Sequence, residues 1–405
     1  MIFGLTVFAS IIWHKKKYAY PKYSKVLFSL FILTAIISLV IGSAKGKEYL
    51  YVNISDLITY YLGFILFFYI GYQSIENAGD LYKIVLILFI FGLMTAAGHI
   101  FSITTGINLE MMRGQEMVSA SRDLSEGNWR YGGFFGNVNS MSAFYVMLIP
   151  GGLVLLFNEV RLSIRVISVI AILLMIISTF IGASRGALLF IALNIILSLF
   201  FLKINLKQIL IGIGFIIALV FGAELVIGNY LQEFFDRAID EITRKGTESP
   251  REIIWFYTFK IIRDYPLGVG LTWHDYSPIL MKYGNIFWAN PHSMYLQMLV
   301  QTGYLGFVSF LLLVVQAISF IIRAYKKTRN SIEKNAFAFV FLFITGFLLM
   351  GITEPIFTNQ YKLNYIFGII LGISLSFSKR ILDLNQNQIN TTFGENFNET
   401  IVQNG

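Results

Sequence analysis

Residues 335–353, NAFAFVFLFITGFLLMGIT, run on without a charged side chain from a basic cluster of Arg323, Lys326, Lys327, Arg329 and Lys334. At about 1.5 Å per residue such a run is about 28 Å long as a helix, close to the roughly 30 Å hydrocarbon core of a bilayer. A segment that spans lipid must satisfy its own backbone, which leaves helix bundles and closed barrels. This run shows no strict period-2 alternation of apolar and polar residues, so it predicts a helix. Nine further runs share its character: 25–42, 54–73, 80–103, 137–157, 163–181, 185–202, 208–228, 304–323 and 361–378. An eleventh, 1–13, is too short to cross unaided and lacks the charged n-region of a signal peptide. It reads as an incomplete first helix or an interfacial segment. The expected fold class is therefore all-α integral membrane, a polytopic bundle of about 10–12 transmembrane helices with one long extracytoplasmic helical loop.

Composition agrees. Hydrophobic residues make up 56% and charged residues 13% of the 405, where a soluble domain carries about 25% charged residues. With no cysteine, disulfide frameworks, thiolate nucleophiles and Cys-based zinc sites are excluded together. The net charge of +8 needs no nucleic-acid partner, because Lys and Arg are retained on the cytoplasmic side of membrane proteins. Lys15, Lys16, Lys17, Lys22 and Lys25 form one such cluster and the run from Arg323 to Lys334 the other. Alternating crossings from these anchors puts 43–53, 104–136, 182–184, 229–303 and 354–360 outside, and 158–162, 203–207 and the C-terminus inside. The chain divides into transmembrane residues 1–228, a long outer loop 229–303, transmembrane residues 304–378 and a tail 379–405. The tail, rich in Asn, Gln, Thr and Glu, is expected to be disordered.

A connection of over 70 residues needs a reason, since ordinary ones are about 2–8. Its first part, 229–245, places Leu231, Phe234, Phe235, Ala238 and Ile242 at helical spacing with acids and Arg237 opposite, which predicts a surface helix. Ser249-Pro250-Arg251-Glu252 then has the grammar of a helix start, with Ser as cap, Pro in the first turn and Glu252 completing a capping box. That helix should stop near Asp264, because Pro266 restricts Tyr265 and Gly268 and Gly270 supply turns. Arg251 thus falls in a first turn, where its charge either is merely solvated or joins the free N–H groups as an anion site. Asn290-Pro291-His292-Ser293 repeats the grammar and places His292 in the first turn of a helix running toward Gly303. A positive helix end disfavours imidazolium, which suits a general base; a structural hydrogen bond is the plainer role.

Two more polar features lie at the expected outer boundary. Ser184-Arg185-Gly186 joins two spans with almost no loop, so Arg185 either snorkels to headgroups or binds an anion. Arg130 opens a Gly/Asn-rich lead-in, Arg130 to Asn139, into the fourth span, where Asn139 is either a site residue or interhelical glue. Trp255, Trp273 and Trp288 line the same loop. There is no Asp-x-Asp pair, and the outer acids form no divalent-metal cluster. Arginine would then neutralise the anion, and its planar fork suits phosphate bidentately.

The ordered set of Arg130 to Asn139, Ser184-Arg185-Gly186, Arg251, Asp264-Tyr265-Pro266-Leu267-Gly268-Val269-Gly270, Asn290-Pro291-His292-Ser293-Met294-Tyr295-Leu296-Gln297 and Gly303-Tyr304-Leu305-Gly306 resembles the O-antigen ligase and polysaccharide polymerase superfamily of bacterial membrane glycosyltransferases. The similarity covers about residues 130–325. It departs where the family often has Asn after the histidine and this chain has Ser293. The resemblance implies a GT-C-like bundle in the bacterial cytoplasmic membrane. It also implies transfer of a glycan from an undecaprenyl-diphosphate carrier to an acceptor hydroxyl at the outer face, in lipopolysaccharide or capsule assembly. Metal independence, the lack of a cofactor and inversion at the anomeric carbon come with it. His292 matches the position assigned to acceptor activation, Arg185 and Arg251 match positions that engage the diphosphate, and Arg130 and Asn139 match more weakly. Implied partners are the lipid-linked donor, a glycan, lipid or protein acceptor, the bilayer, a flippase and a chain-length regulator. The alternative function is a transporter or flippase of anionic lipid-linked sugars, which predicts basic residues deep in several spans and discontinuous helices at the midplane. A third is a non-catalytic envelope scaffold.

Overall fold

The structure, a computed structural model, describes residues 21–74, 77–105, 135, 137–158, 161–182, 184–201, 214, 250–286 and 290–403. Within them the chain is helical with no strand. The part before the long loop comprises α1 (Lys22–Ser43), α2 (Lys47–Asp56), a π-helical turn (Leu57–Leu62), α3 (Gly63–Ser74), α4 (Ala78–Thr105), α5 (Val138–Asn158), α6 (Leu162–Ile181) and α7 (Arg185–Leu199). After it come α8 (Pro250–Asp264), α9 (Trp273–Gly284), α10 (Met294–Lys327), α11 (Ser331–Thr353) and α12 (Tyr361–Gln403).

Among the described residues seven segments are long and apolar enough to cross a bilayer: Tyr23–Ser43, Lys47–Ser74, Gly79–Ser102, Leu162–Ile181, Met294–Lys327, Ser331–Thr353 and Tyr361–Leu384. Two of the ten expected spans are shorter apolar helices, Val138–Val154 and Arg185–Leu199. A tenth, 208–228, lies outside the described residues except at 214, as do the run 1–13, the surface helix expected over 229–245, Arg130, Ser249 and Trp288. The backbone of α12 stays helical to Gln403, beyond the apolar stretch and into the tail whose composition predicts no order. A helix closes its own backbone hydrogen bonds, so polar composition alone does not interrupt it.

In the bundle α11 packs against α5, α7, α10 and α12, while α10 also packs against α1 and α12 against α3. Phe357, in the turn between α11 and α12, is fully buried. Its ring sits edge-on to Phe64 at 5.3 Å and to Phe310 at 5.2 Å between centroids. This aromatic plug anchors the 354–360 turn to the core beneath it.

The segment 264–275 is tied down by buried polar groups. Asn53 Nδ2 donates to Asp275 Oδ2 at 2.8 Å, Leu271 N donates to Asn53 Oδ1 at 2.7 Å, and Lys45 Nζ donates to the carbonyls of Val269 and Asp275 at 3.1 Å each. Ser38 Oγ donates to the Gln301 carbonyl and accepts from Gly270 N. Loops 43–53 and 229–303, expected on one side of the membrane, therefore meet at one end of the bundle. Asp275 is fully buried, so removing its charge weakens several bonds at once. Asp275→Asn is expected to cost about 2 kcal/mol, the worth of hydrogen bonds to a charged group. Thermal unfolding of the purified protein in detergent measures it, and an unchanged midpoint would refute the importance of the charge.

Candidate functional site

Several of the polar features singled out above meet at the C-terminal end of α11. That helix stops at Thr353 because Pro355 has no N–H to continue it and holds Glu354 extended, at φ −139° and ψ 140°. Glu354 Oε1 accepts a hydrogen bond from Asn139 Nδ2 at 2.7 Å and lies 3.8 Å from Arg251 Nη2. Asn139 Oδ1 in turn accepts from Ser184 Oγ at 3.1 Å. Ser184 precedes α7, whose first residue is the exposed Arg185, and the backbone of the next residue, Gly186, lies beside the Thr353 side chain. Starts of α5, α7 and α8 thus meet the end of α11.

Helix α8 begins at Pro250 and ends at Asp264, as its sequence grammar predicts, with Arg251 in the first turn. His292 differs from expectation. Helix α10 starts at Met294 with Ser293 as its cap, so His292 lies in the loop two residues before the helix. Its φ of 46° is left-handed and cannot continue a right-handed helix. Asn290 explains this, since its Oδ1 accepts from the His292 amide at 2.8 Å in a local turn. The side chain serves the loop where a helix cap was expected.

The loop is held on both sides. Trp255 Nε1 donates to the Pro291 carbonyl at 2.6 Å, and Ser293 Oγ donates to the Gly351 carbonyl at 3.4 Å. His292 is half-buried, and burial first and the Arg251 charge second lower its pKa from the usual 6.5. The neutral ring expected from a helix dipole is thus obtained by desolvation and a neighbouring cation.

The structure brings Arg251 and Asn139 together through Glu354, sets His292 on a loop and Arg185 at a helix start beside the same helix end, and leaves Arg130 outside the described residues. Sequence reasoning missed Glu354, although an acid directly after an apolar run and before a proline marks a helix end at the membrane boundary. It also missed α9, which Thr272 and Asp275 announce with a capping box. The glycines of 264–270 and Gly303 belong to packing: a Cβ on Gly268 would strike the Gln301 carbonyl and one on Gly303 the Pro266 carbonyl.

Fold and site define a polytopic all-α membrane protein with a polar cluster at one end of the bundle, where Arg251 and Asn139 meet the Glu354 carboxylate and the loop of the half-buried His292 and the Arg185 helix start lie beside the same helix end. Residues 170–311 match the protein-family model described as O-Antigen ligase, the superfamily that the ordered motifs of the sequence resemble. The matched segment contains Arg185, Arg251 and His292, while Asn139 and Glu354 fall outside it. No curated protein matches the chain. The match supports an O-antigen ligase or polymerase-type function in cell-surface polysaccharide biosynthesis.

Proposed function

We propose that this protein transfers a glycan from an undecaprenyl-diphosphate carrier to an acceptor hydroxyl at the outer face of the bacterial cytoplasmic membrane, without a metal and with inversion. The observation that carries this reading is the pairing of a neutral, half-buried His292 with the Arg251 cation at a helix start. Lys326 and Lys327 lie in the last turn of α10, the far end from His292, which supports an outward-facing site under the positive-inside bias.

In the reaction the acceptor oxygen attacks the anomeric carbon in line with the departing diphosphate. The new C–O bond forms as the old one breaks, its electron pair leaves on the diphosphate, and His292 takes the acceptor proton. Arg251 and Arg185 neutralise the charge that develops on the leaving group, a task for which guanidinium forks and the free N–H groups of two helix starts are suited. Because a diphosphate is already a fair leaving group, holding and aligning it is most of what the protein must do. A flippase delivering the donor and a chain-length regulator acting on the product are the protein partners that the resemblance to the family implies.

Reconstitution with an undecaprenyl-diphosphate oligosaccharide tests the proposal. Product is expected with and without EDTA; loss with EDTA and recovery with magnesium would end the metal-independent account. Movement of labelled lipid with no glycosidic bond formed would point instead to a transporter. The pH profile gives a second check. A base whose pKa is lowered stays neutral to lower pH, so the acid limb of kcat/KM should fall below 6.5, the usual histidine value. In whatever activity Arg251→Ala retains, that limb should move up, because a cation that disfavours imidazolium is gone. A limb at or above 6.5 in the wild type would argue against His292 as the base.

A further inference from the structure

Glu354 is an acid set among cations where an anionic ligand is proposed to bind. Repulsion alone would make it harmful there, so its geometry needs a reason. Its side chain is 15% exposed and that of Arg251 is 47% exposed. The 2.7 Å bond from Asn139 commits Oε1, whereas the 3.8 Å approach of Arg251 Nη2 to the same atom is well beyond the roughly 2.7–2.9 Å of a charge-assisted hydrogen bond. The guanidinium is therefore attracted to the carboxylate without being docked on it edge to edge. A bidentate anion can still take its fork.

The attachment of Glu354 is rigid. Its amide donates to the Met350 carbonyl at 3.0 Å, and three residues further on the buried Phe357 plugs the core. One turn back, the Gly351 carbonyl receives Ser293 Oγ, next to His292. The carboxylate is thus fixed to the helix end against which the His292 loop packs. A long flexible arginine gains most from such a fixed attractor, since otherwise ordering it on ligand binding costs side-chain entropy.

We propose that Glu354 is a positioning residue, which anchors Asn139 through Oε1 and draws the Arg251 guanidinium to where it meets the diphosphate of the donor. The identity of the ligand rests on the function proposed above; the link between Glu354 and Arg251 rests on the geometry. Glu354 acts through Arg251, so the two should not contribute independently.

A double-mutant cycle on the full-length protein in detergent tests this, with undecaprenyl diphosphate as the probe in a direct binding measurement. Glu354→Gln keeps the shape and an acceptor for Asn139 while removing the charge. It is expected to lose roughly tenfold in affinity, a coupling typical of contacting residues. Glu354→Asp, which keeps the charge, should recover part of that loss. Arg251→Ala should lose at least as much as Glu354→Gln, and the double variant no more than Arg251→Ala. Wild-type affinity in Glu354→Gln, or losses that add in full in the double variant, would overturn the proposal. So would a fall in affinity matched by an equal fall in thermal stability in both backgrounds, which marks a purely structural role. Absence of probe binding to the wild type also overturns it. Product formation, assayed separately, judges the transferase function on its own.

Discussion

Replacing His292 by asparagine is expected to abolish glycosidic bond formation, with a loss on the order of 10² to 10⁴ in rate, the usual worth of a positioned base. Asparagine is the informative substitute because His292 holds φ at 46°, a left-handed conformation that asparagine tolerates far better than alanine. The Asn290 turn, the Pro291 contact with Trp255 and the Ser293 cap should therefore survive. What disappears is a group able to accept a proton near neutral pH. Donor binding, which the arginines dominate, should change little. The measurement is turnover of an undecaprenyl-diphosphate oligosaccharide beside donor affinity for the same preparation. Wild-type turnover in His292→Asn would remove the proposed base, and loss of affinity equal to the loss of turnover would reassign the residue to binding.

The largest effect on stability is expected at Gly303. Helix α10 passes through this residue at φ 68° and ψ −174°, a region of backbone space that is essentially reserved for glycine. A Cβ there would also strike the Pro266 carbonyl, which accepts from Tyr304 N at 3.0 Å. Gly303→Val combines backbone strain of about 1–3 kcal/mol with overpacking of about 1–3 kcal/mol. A total near 4 kcal/mol would leave little folded protein. Gly186 serves as the comparison, because a Cβ there meets Thr353 only at ordinary distances of 3.4 to 4.0 Å, so Gly186→Ala should fold normally. Thermal unfolding and monodisperse yield in detergent separate the two, and equal midpoints would show that α10 relaxes around the kink.

These two residues mark the range of what could be read in the sequence. Gly303 was expected to end a helix started near Pro291, and a break does occur there, although the chain resumes helical geometry at once and continues as one element to Lys327. The start of α8 at Pro250 and its stop at Asp264 were legible because caps, prolines and turns act over a few residues. His292 was legible as a residue type in a telling loop, yet its place before the helix was not. Asn290 and Ser293 both suit a cap, and only the packed structure chose Ser293 for that place and gave Asn290 to the His292 amide.

The same physical divide holds for the whole molecule. Apolar runs of bilayer length determined by themselves that the chain is an all-α membrane bundle, since lipid offers a backbone no partner but its own. The ordered motifs already placed Arg185, Arg251 and His292 together as candidates. Tertiary structure alone decided that Glu354 joins Asn139 across 215 positions of sequence and that Asp275 joins Asn53 across 222. Such contacts depend on which helix ends meet, and local propensity carries no record of that. The long loop was visible from its polarity; the carboxylate around which its arginine gathers was not.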